Sequence, residues 1–249
     1  MTALPLHLVD DWARVLADRY AGRPAEDVLA EVIHDVFPGR IALVSSFGAE
    51  SAVLLHMVAR IAPELPVIFV DTGRLFGETL RYRDRLRRIL GLANVITVEP
   101  DPALIAAEDP RETLFRDNPD RCCFLRKVLP LEDALAPFSA WISGRKRYQG
   151  ADRARLPRVE AVDGRIKINP LADWSRADVA AYFTAQDLLR HPLEADGYVS
   201  IGCMPCTDRL RPGDADVRAG RWRGREKTEC GIHLPRAEAA RRAGLDIAP

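Results

Sequence analysis

This sequence predicts an α/β fold, a mainly parallel sheet with helices on both faces. Two observations carry that expectation. Short apolar runs alternate with segments of helical period, and the links between them are short. Polar turns bearing glycine follow the first runs, where ligands gather at the carboxyl ends of parallel strands. A chain of 249 residues, 47% hydrophobic and 29% charged, suits one large domain or one domain with an appendage.

The elements follow in order. Residues 26–36 (EDVLAEVIHDV) have helical spacing, and 41–46 (IALVSS) read as a buried strand. A helix over 50–61 and a strand over 65–71 come next, then an amphipathic helix over 78–90 and a strand over 94–99. Residues 123–135 (CFLRKVLPLEDAL) read as largely helical, interrupted by Pro130, and 140–144 (AWISG) as a short strand. Ser175 and Asp178 stand in capping-box positions ahead of a further helix. After Pro212 the chain becomes rich in Gly and Arg and poor in large apolar residues. Residues 1–212 are therefore expected to form the α/β domain. Residues 213–249 are expected to be a mobile or docked tail without a core of its own.

Formal net charge is zero, so bulk charge favours neither a nucleic acid nor a membrane surface as partner. No apolar run approaches the ~20 residues of a membrane helix. The N-terminal stretch MTALPLHLVDDWARVL has no basic region and carries Asp10 and Asp11. No signal peptide is expected, and the compartment expected is the reducing cytoplasm.

Strand-end turns point to an anionic nucleotide. In VSSFGAES (44–51), Ser45, Ser46 and Ser51 offer hydroxyls, and Gly48 lets the backbone approach a ligand where a helix begins. In VDTGRLF (70–76), Asp71, Thr72 and Gly73 would reach the same sheet edge and could bond a ribose or an adenine. Glu50 and Arg74 belong to these turns and join the candidate binding residues. Residues 140–158 hold six basic side chains and one acidic one, with Arg145, Lys146 and Arg147 directly after a strand. Arg218, Arg221, Arg223 and Arg225 repeat the theme in the tail, and arginine suits oxyanions.

Five cysteines remain to be explained, and an odd count argues against a disulfide framework. Cys122 and Cys123 are adjacent, while Cys203 and Cys206 form a C-x-x-C. A zinc site, a 4Fe-4S cluster and two unrelated pairs are all open. Adjacent cysteines chelate one zinc poorly, whereas a cubane offers separate iron corners. Cys230 stands alone near Arg225, Lys227 and His233, cations that favour a reactive thiolate.

The motifs SSFGAES, VDTGRLF, CCFLRKV, GRKRYQ, GYVSIGCMPCT, RAGRW and KTECGIHL, spread over roughly residues 40–234, together resemble the thioredoxin-dependent adenylylsulfate (APS) reductases. These belong to a wider family that includes the phosphoadenylylsulfate (PAPS) reductases. The resemblance implies an adenine nucleotide alpha-hydrolase-like fold and a place in sulfate assimilation and cysteine biosynthesis. It implies adenylylsulfate as substrate, sulfite and AMP as products, and thioredoxin or glutaredoxin as reductant; it allows a homo-oligomer. It implies that Cys122, Cys123, Cys203 and Cys206 hold a 4Fe-4S cluster and that Cys230 is the nucleophile, with Lys127 and His233 as further catalytic residues. Lys127 would lie between cluster and substrate. Lys146, Arg147, Arg218 and Arg221 match the basic positions expected around the phosphosulfate. Phe47, Ser51 and Tyr148 depart from the family pattern. A PAPS reductase, or an enzyme taking both nucleotides, is the alternative.

Overall fold

The computed structural model describes residues 6–245. Alternation of side chains along each strand decides its layers. In β1 (Ile41–Val44), Ile41 and Leu43 enter one core while Ala42 and Val44 enter another. β2 (Val67–Val70) divides the same way, Val67 and Phe69 opposite Ile68 and Val70. β3 (Val95–Val98) is an exposed edge strand. In β4 (Ala140–Ser143) all four residues are buried, with Trp141 facing the second core.

A hairpin of β5 (Val159–Val162) and β6 (Arg165–Ile168) completes a six-stranded sheet of order β3-β2-β1-β4-β6-β5. Every pairing is parallel except that of β5 with β6. From β1 the chain builds outward to β3, then returns to place β4 on the other flank of β1. The carboxyl ends of β1 and β4 thus flank a topological switch point, where an open α/β sheet leaves a crevice.

Helices cover both faces. α1 (Leu6–Tyr20), α2 (Ala25–Glu31), α3 (Ser51–Ile61) and α4 (Gly77–Leu90) pack on the larger core. Three short helices follow, α5 (Pro102–Glu108), α6 (Leu114–Asp117) and α7 (Pro119–Cys123). α8 (Leu129–Leu135) covers the second face through Leu131 and Leu135. α9 (Arg176–Ala185) returns to the first core, and its Ser175–Asp178 capping box forms as expected.

The interruption expected at Pro130 does not occur. Residues Phe124–Val128 form one wide π turn that joins α7 to α8, and the Leu129 N–H reaches back to Phe124 O. The wider turn absorbs the missing proline N–H, and Pro130 sits in the first turn of α8, where it is tolerated.

Residues 213–245 lie docked on the α/β domain. Arg221 bridges to Thr207, the Trp222 N–H donates to Cys206 O at 3.1 Å, and Trp222 is 3% exposed. α10 (Arg236–Arg242) lays Ala239 and Ala240 on Phe124, Leu125 and Val128. Its first N–H, on Arg236, donates to the Asp163 carboxylate in the β5–β6 turn at 3.1 and 3.0 Å.

Candidate active site

A deep cleft opens at the ends of β1 and β4. Its floor begins at the turn after β1, with Ser45, Ser46, Gly48, Glu50 and Ser51. Phe47 adopts φ 48°, a left-handed conformation costly for an aromatic residue, and is fully buried edge-on against Phe69. In that turn Ser46 is exposed, while Ser45 is buried and its Oγ accepts the Phe47 N–H at 3.2 Å. A Cβ on Gly48 would lie 3.3 Å from Ile201 O, so glycine permits the close approach of the 200–202 segment. Glu50 precedes α3 without capping its N–H groups with its side chain, and the Ser51 N–H donates to Gly48 O at 3.0 Å.

Cations ring this cleft. Lys146 is 2% exposed and donates to Glu50 Oε2 at 2.9 Å and to Gly144 O at 3.1 Å. Gln149 and Tyr148 donate to the same carboxylate. Burial works to raise the Glu50 pKa, but Lys146 and these hydrogen bonds outweigh it and hold the carboxyl below its ordinary value. Burial lowers the pKa of Lys146 despite Glu50. Arg145 pairs with Glu160. Arg153 clasps Glu229 through two bonds of 2.6 and 2.8 Å, and Arg218 joins at 3.1 Å. Arg221 lies over the Trp222 ring at 4.4 Å and donates to Cys206 O at 3.3 Å. A Cβ at Gly202 would collide with its guanidinium.

The four paired cysteines line one small hollow beside the cleft. Asn118 caps α7, which delivers Cys122 and Cys123 at its last turn. Cys203 and Cys206 bracket a 3-10 turn, Met204–Cys206, pinned by Met204 N–H to Arg74 O at 2.8 Å and by Thr207 Oγ1 to Cys203 O at 2.8 Å. Burial, then Cys203, pushes the Cys122 thiol up to about 11. Among the described residues, no three His, Cys, Asp or Glu side chains are gathered tightly enough to hold a metal ion. Lys127 lines both hollow and cleft. Burial opposes its charge, but Cys203, Cys230 and Cys123 outweigh burial and raise its pKa.

Cys230 also lines the cleft, 8% exposed, packed against Cys123 and Trp222. The contact with Cys123, helped by Lys127 and Lys227, outweighs burial and holds the Cys230 thiol well below its ordinary range. The same contact, with burial, pushes Cys123 up. His233 lies parallel to Trp141, ring centres 6.4 Å apart. Burial, then Arg145, drives its pKa well below the ordinary value, so the imidazole is neutral.

Of the residues expected to bind substrate, eight line this cleft and five do not, while Arg223 and Arg225 line a neighbouring hollow. Arg147 points away, bonding Leu156 O at 2.9 Å and Asp173. Asp71, Thr72, Gly73 and Arg74 serve the cysteine side instead. Thr72 Oγ1 is 3.2 Å from Cys203 Sγ, Thr72 O accepts from Arg126 at 3.2 Å, and Asp71 bonds the Gly73 N–H at 3.0 Å. Arg74 lines the hollow and pairs with Glu112 at 2.9 Å. Sequence reasoning did not pick out Arg153, Gln149, Glu229, Ser200 or Ile201 as lining residues. Arg153 lay inside the noted basic run; Glu229 carried no signal beyond its place before Cys230.

The family model for the phosphoadenosine phosphosulfate reductase domain matches residues 40–209. A protein from Chelativorans sp. (strain BNC1) named adenosine 5'-phosphosulfate reductase is 51% identical over 241 residues, 96% of this chain and 98% of that one. A protein of the same name from Mesorhizobium japonicum is 52% identical over 86% of this chain and 84% of its own. Among solved structures, the phosphoadenylyl-sulfate reductase of Candida auris superposes with a TM-score of 0.64 at 25% identity, over 83% of this chain and 99% of that one.

Proposed function

The chain belongs to the phosphoadenosine phosphosulfate reductase family, and from that premise we propose that it reduces adenylylsulfate to sulfite and AMP in sulfate assimilation. The observation that carries the chemistry is Cys230, a thiol outside the two cysteine pairs, lining a cleft ringed by cations at the sheet's switch point.

The adenosine lies along the turns at the ends of β1 and β4, and the phosphosulfate among Lys146, Arg153, Arg218 and Arg221. The Cys230 thiolate attacks the sulfate sulfur. The S–O bond to phosphate breaks, and its electron pair leaves with AMP. An S–S bond forms, giving a Cys230 thiosulfonate. Guanidinium groups stabilise the charge that grows on the leaving phosphate. A dithiol, thioredoxin or glutaredoxin, then attacks the Cys230 sulfur and expels sulfite. Its second thiol restores Cys230 and takes up the oxidation as a disulfide. Residues 213–245 swing out for that exchange, since Cys230 is buried when docked.

Cys122, Cys123, Cys203 and Cys206 would hold a 4Fe-4S cluster. The donor set fits: four thiols around one hollow suit the separate corners of a cubane better than one ion. When bound, the cluster would supply a fixed centre of charge, while the two reducing electrons come from the dithiol. The chain is read as cytoplasmic, and the described residues include no helix long and apolar enough to cross a membrane.

Anaerobically purified protein should carry about four irons and four sulfides per chain and release sulfite from adenylylsulfate with thioredoxin. Preference for the 3'-phosphorylated nucleotide would move the reading to a PAPS reductase. Cys230→Ser should lose turnover and the sulfonate adduct seen by mass spectrometry; full turnover would remove Cys230 from the mechanism.

A further inference from the structure

Glu229 has no task in the reaction just described, yet it is the most heavily bonded carboxylate in the cleft. It precedes Cys230 directly and is 8% exposed. Arg153 grips it with two bonds, Arg218 adds one, and the Cys230 N–H donates to its Oε1 at 2.9 Å. Burial opposes the charge, but Arg153 and Arg218 outweigh it and lower the carboxyl to about 2.

Arg153, Arg218 and Glu229 all line the cleft. An anion entering there must draw on the guanidinium N–H groups that Glu229 already uses. The other cleft ion pairs differ in placement. Lys146–Glu50 and Arg145–Glu160 join residues of the α/β domain alone. Arg153–Glu229 ties that domain to the docked segment, and Glu229 can move with it. A neighbouring hollow shares Glu229, Arg153 and Arg218 with the cleft and is lined also by Arg223, Arg225 and Lys227, beside Asp152 and Asp216. A carboxylate leaving the cleft therefore has space within reach where cations outnumber carboxylates.

We infer that Glu229 is an anion place-holder, a positioning residue that fills the Arg153–Arg218 pair when the cleft lacks nucleotide. It yields the pair to the phosphosulfate, and retakes it as AMP departs. The inference rests on the reading that this cleft binds adenylylsulfate. Yielding also frees the Cys230 N–H, so the backbone of the nucleophile loosens only when an anion is seated. A purely structural clasp predicts the reverse. Without it, the segment carrying Arg218 and Arg221 would detach, and nucleotide binding would weaken.

The test is titration of AMP into the cluster-loaded, full-length protein, comparing wild type, Glu229→Gln and Glu229→Asp. Glu229→Gln should bind AMP about tenfold tighter, the scale of freed charge-assisted hydrogen bonds, and its kcat should fall as AMP leaves slowly. Glu229→Asp keeps the charge and should bind AMP as the wild type does. A folded Glu229→Gln protein with unchanged or weaker AMP affinity overturns the inference. Wild-type protein supplies a second check, because hydrogen exchange at the Cys230 amide should quicken when AMP is added. Unchanged or slower exchange overturns the inference without any variant. A wild type that binds no AMP would overturn the functional reading as well, whereas failure of the Glu229 tests alone leaves that reading standing.

Discussion

Gly202 shows how one missing Cβ shapes the cleft. The Arg221 guanidinium rests where that atom would be, and it is held there by Trp222 beneath it and Cys206 O beside it. Gly202→Ala should displace Arg221 and raise KM for the nucleotide about tenfold, roughly one charge-assisted hydrogen bond. The cysteine pairs should remain competent for iron. Steady-state kinetics beside an iron assay checks this, and an unchanged KM would show that Arg221 does not hold substrate. Lys127 faces both hollow and cleft, so Lys127→Ala should lower kcat while leaving iron content unchanged. Normal kcat would remove Lys127 from the chemistry. The cysteines and these cations were legible because their chemistry is written in residue type. The direction of Arg147 was not legible, because side chains that follow one another after a strand end need not face the same cleft.

Elements were legible where period and capping agreed. The helix that became α9 announced itself through Ser175 and Asp178, whose reciprocal bonds form at 3.1 and 2.8 Å. Ser175→Ala should cost about 1 kcal/mol of stability, read by denaturant unfolding. The β5–β6 hairpin went unread although its signal was present. VEAVDGRIKI alternates, and Asp163 and Gly164 take φ of 49° and 72°, the paired left-handed turn that Asp-Gly favours. α1 was likewise passed over. The loop at residues 71–74 could not be assigned from sequence, since its partner, the Cys203 turn, is far along the chain. Another long-range clasp carries a pH dependence. His191 accepts from the Leu193 N–H at Nδ1 and meets Thr79 Oγ1 at 3.0 Å through Nε2, which requires the neutral ring. Burial lowers its pKa to about 4. Because the folded value lies below the unfolded one, near 6.5, the unfolded chain binds more protons between them, and stability falls as pH drops through that window. His191→Gln should melt with a shallower loss from about pH 6.5 to about pH 4; an identical slope would exclude His191 as the source.

At the scale of the whole molecule, a net charge of zero conceals a strongly sorted distribution. Arginines on outer helices are largely matched locally, as Arg81 is by Glu78 and Arg83 by Asp84. Such exposed pairs contribute little stability and project little field. The cleft gathers Arg145, Lys146, Arg153, Arg218 and Arg221 against Glu50, Glu160 and Glu229. Low-dielectric walls concentrate what positive potential remains, so an anionic nucleotide is drawn to this opening. Salt should therefore act on capture more than on chemistry. Raising salt from about 0.05 to about 0.5 M shortens the screening length severalfold. Over that range kcat/KM for adenylylsulfate should fall severalfold while kcat stays within about twofold. Reversing one cleft charge with Arg218→Glu should flatten the salt dependence as well as lower the rate. A kcat/KM insensitive to salt in the wild type would mean that capture depends on contact alone, and that the sorting of charge toward the cleft serves the docking of residues 213–245 rather than the arrival of substrate.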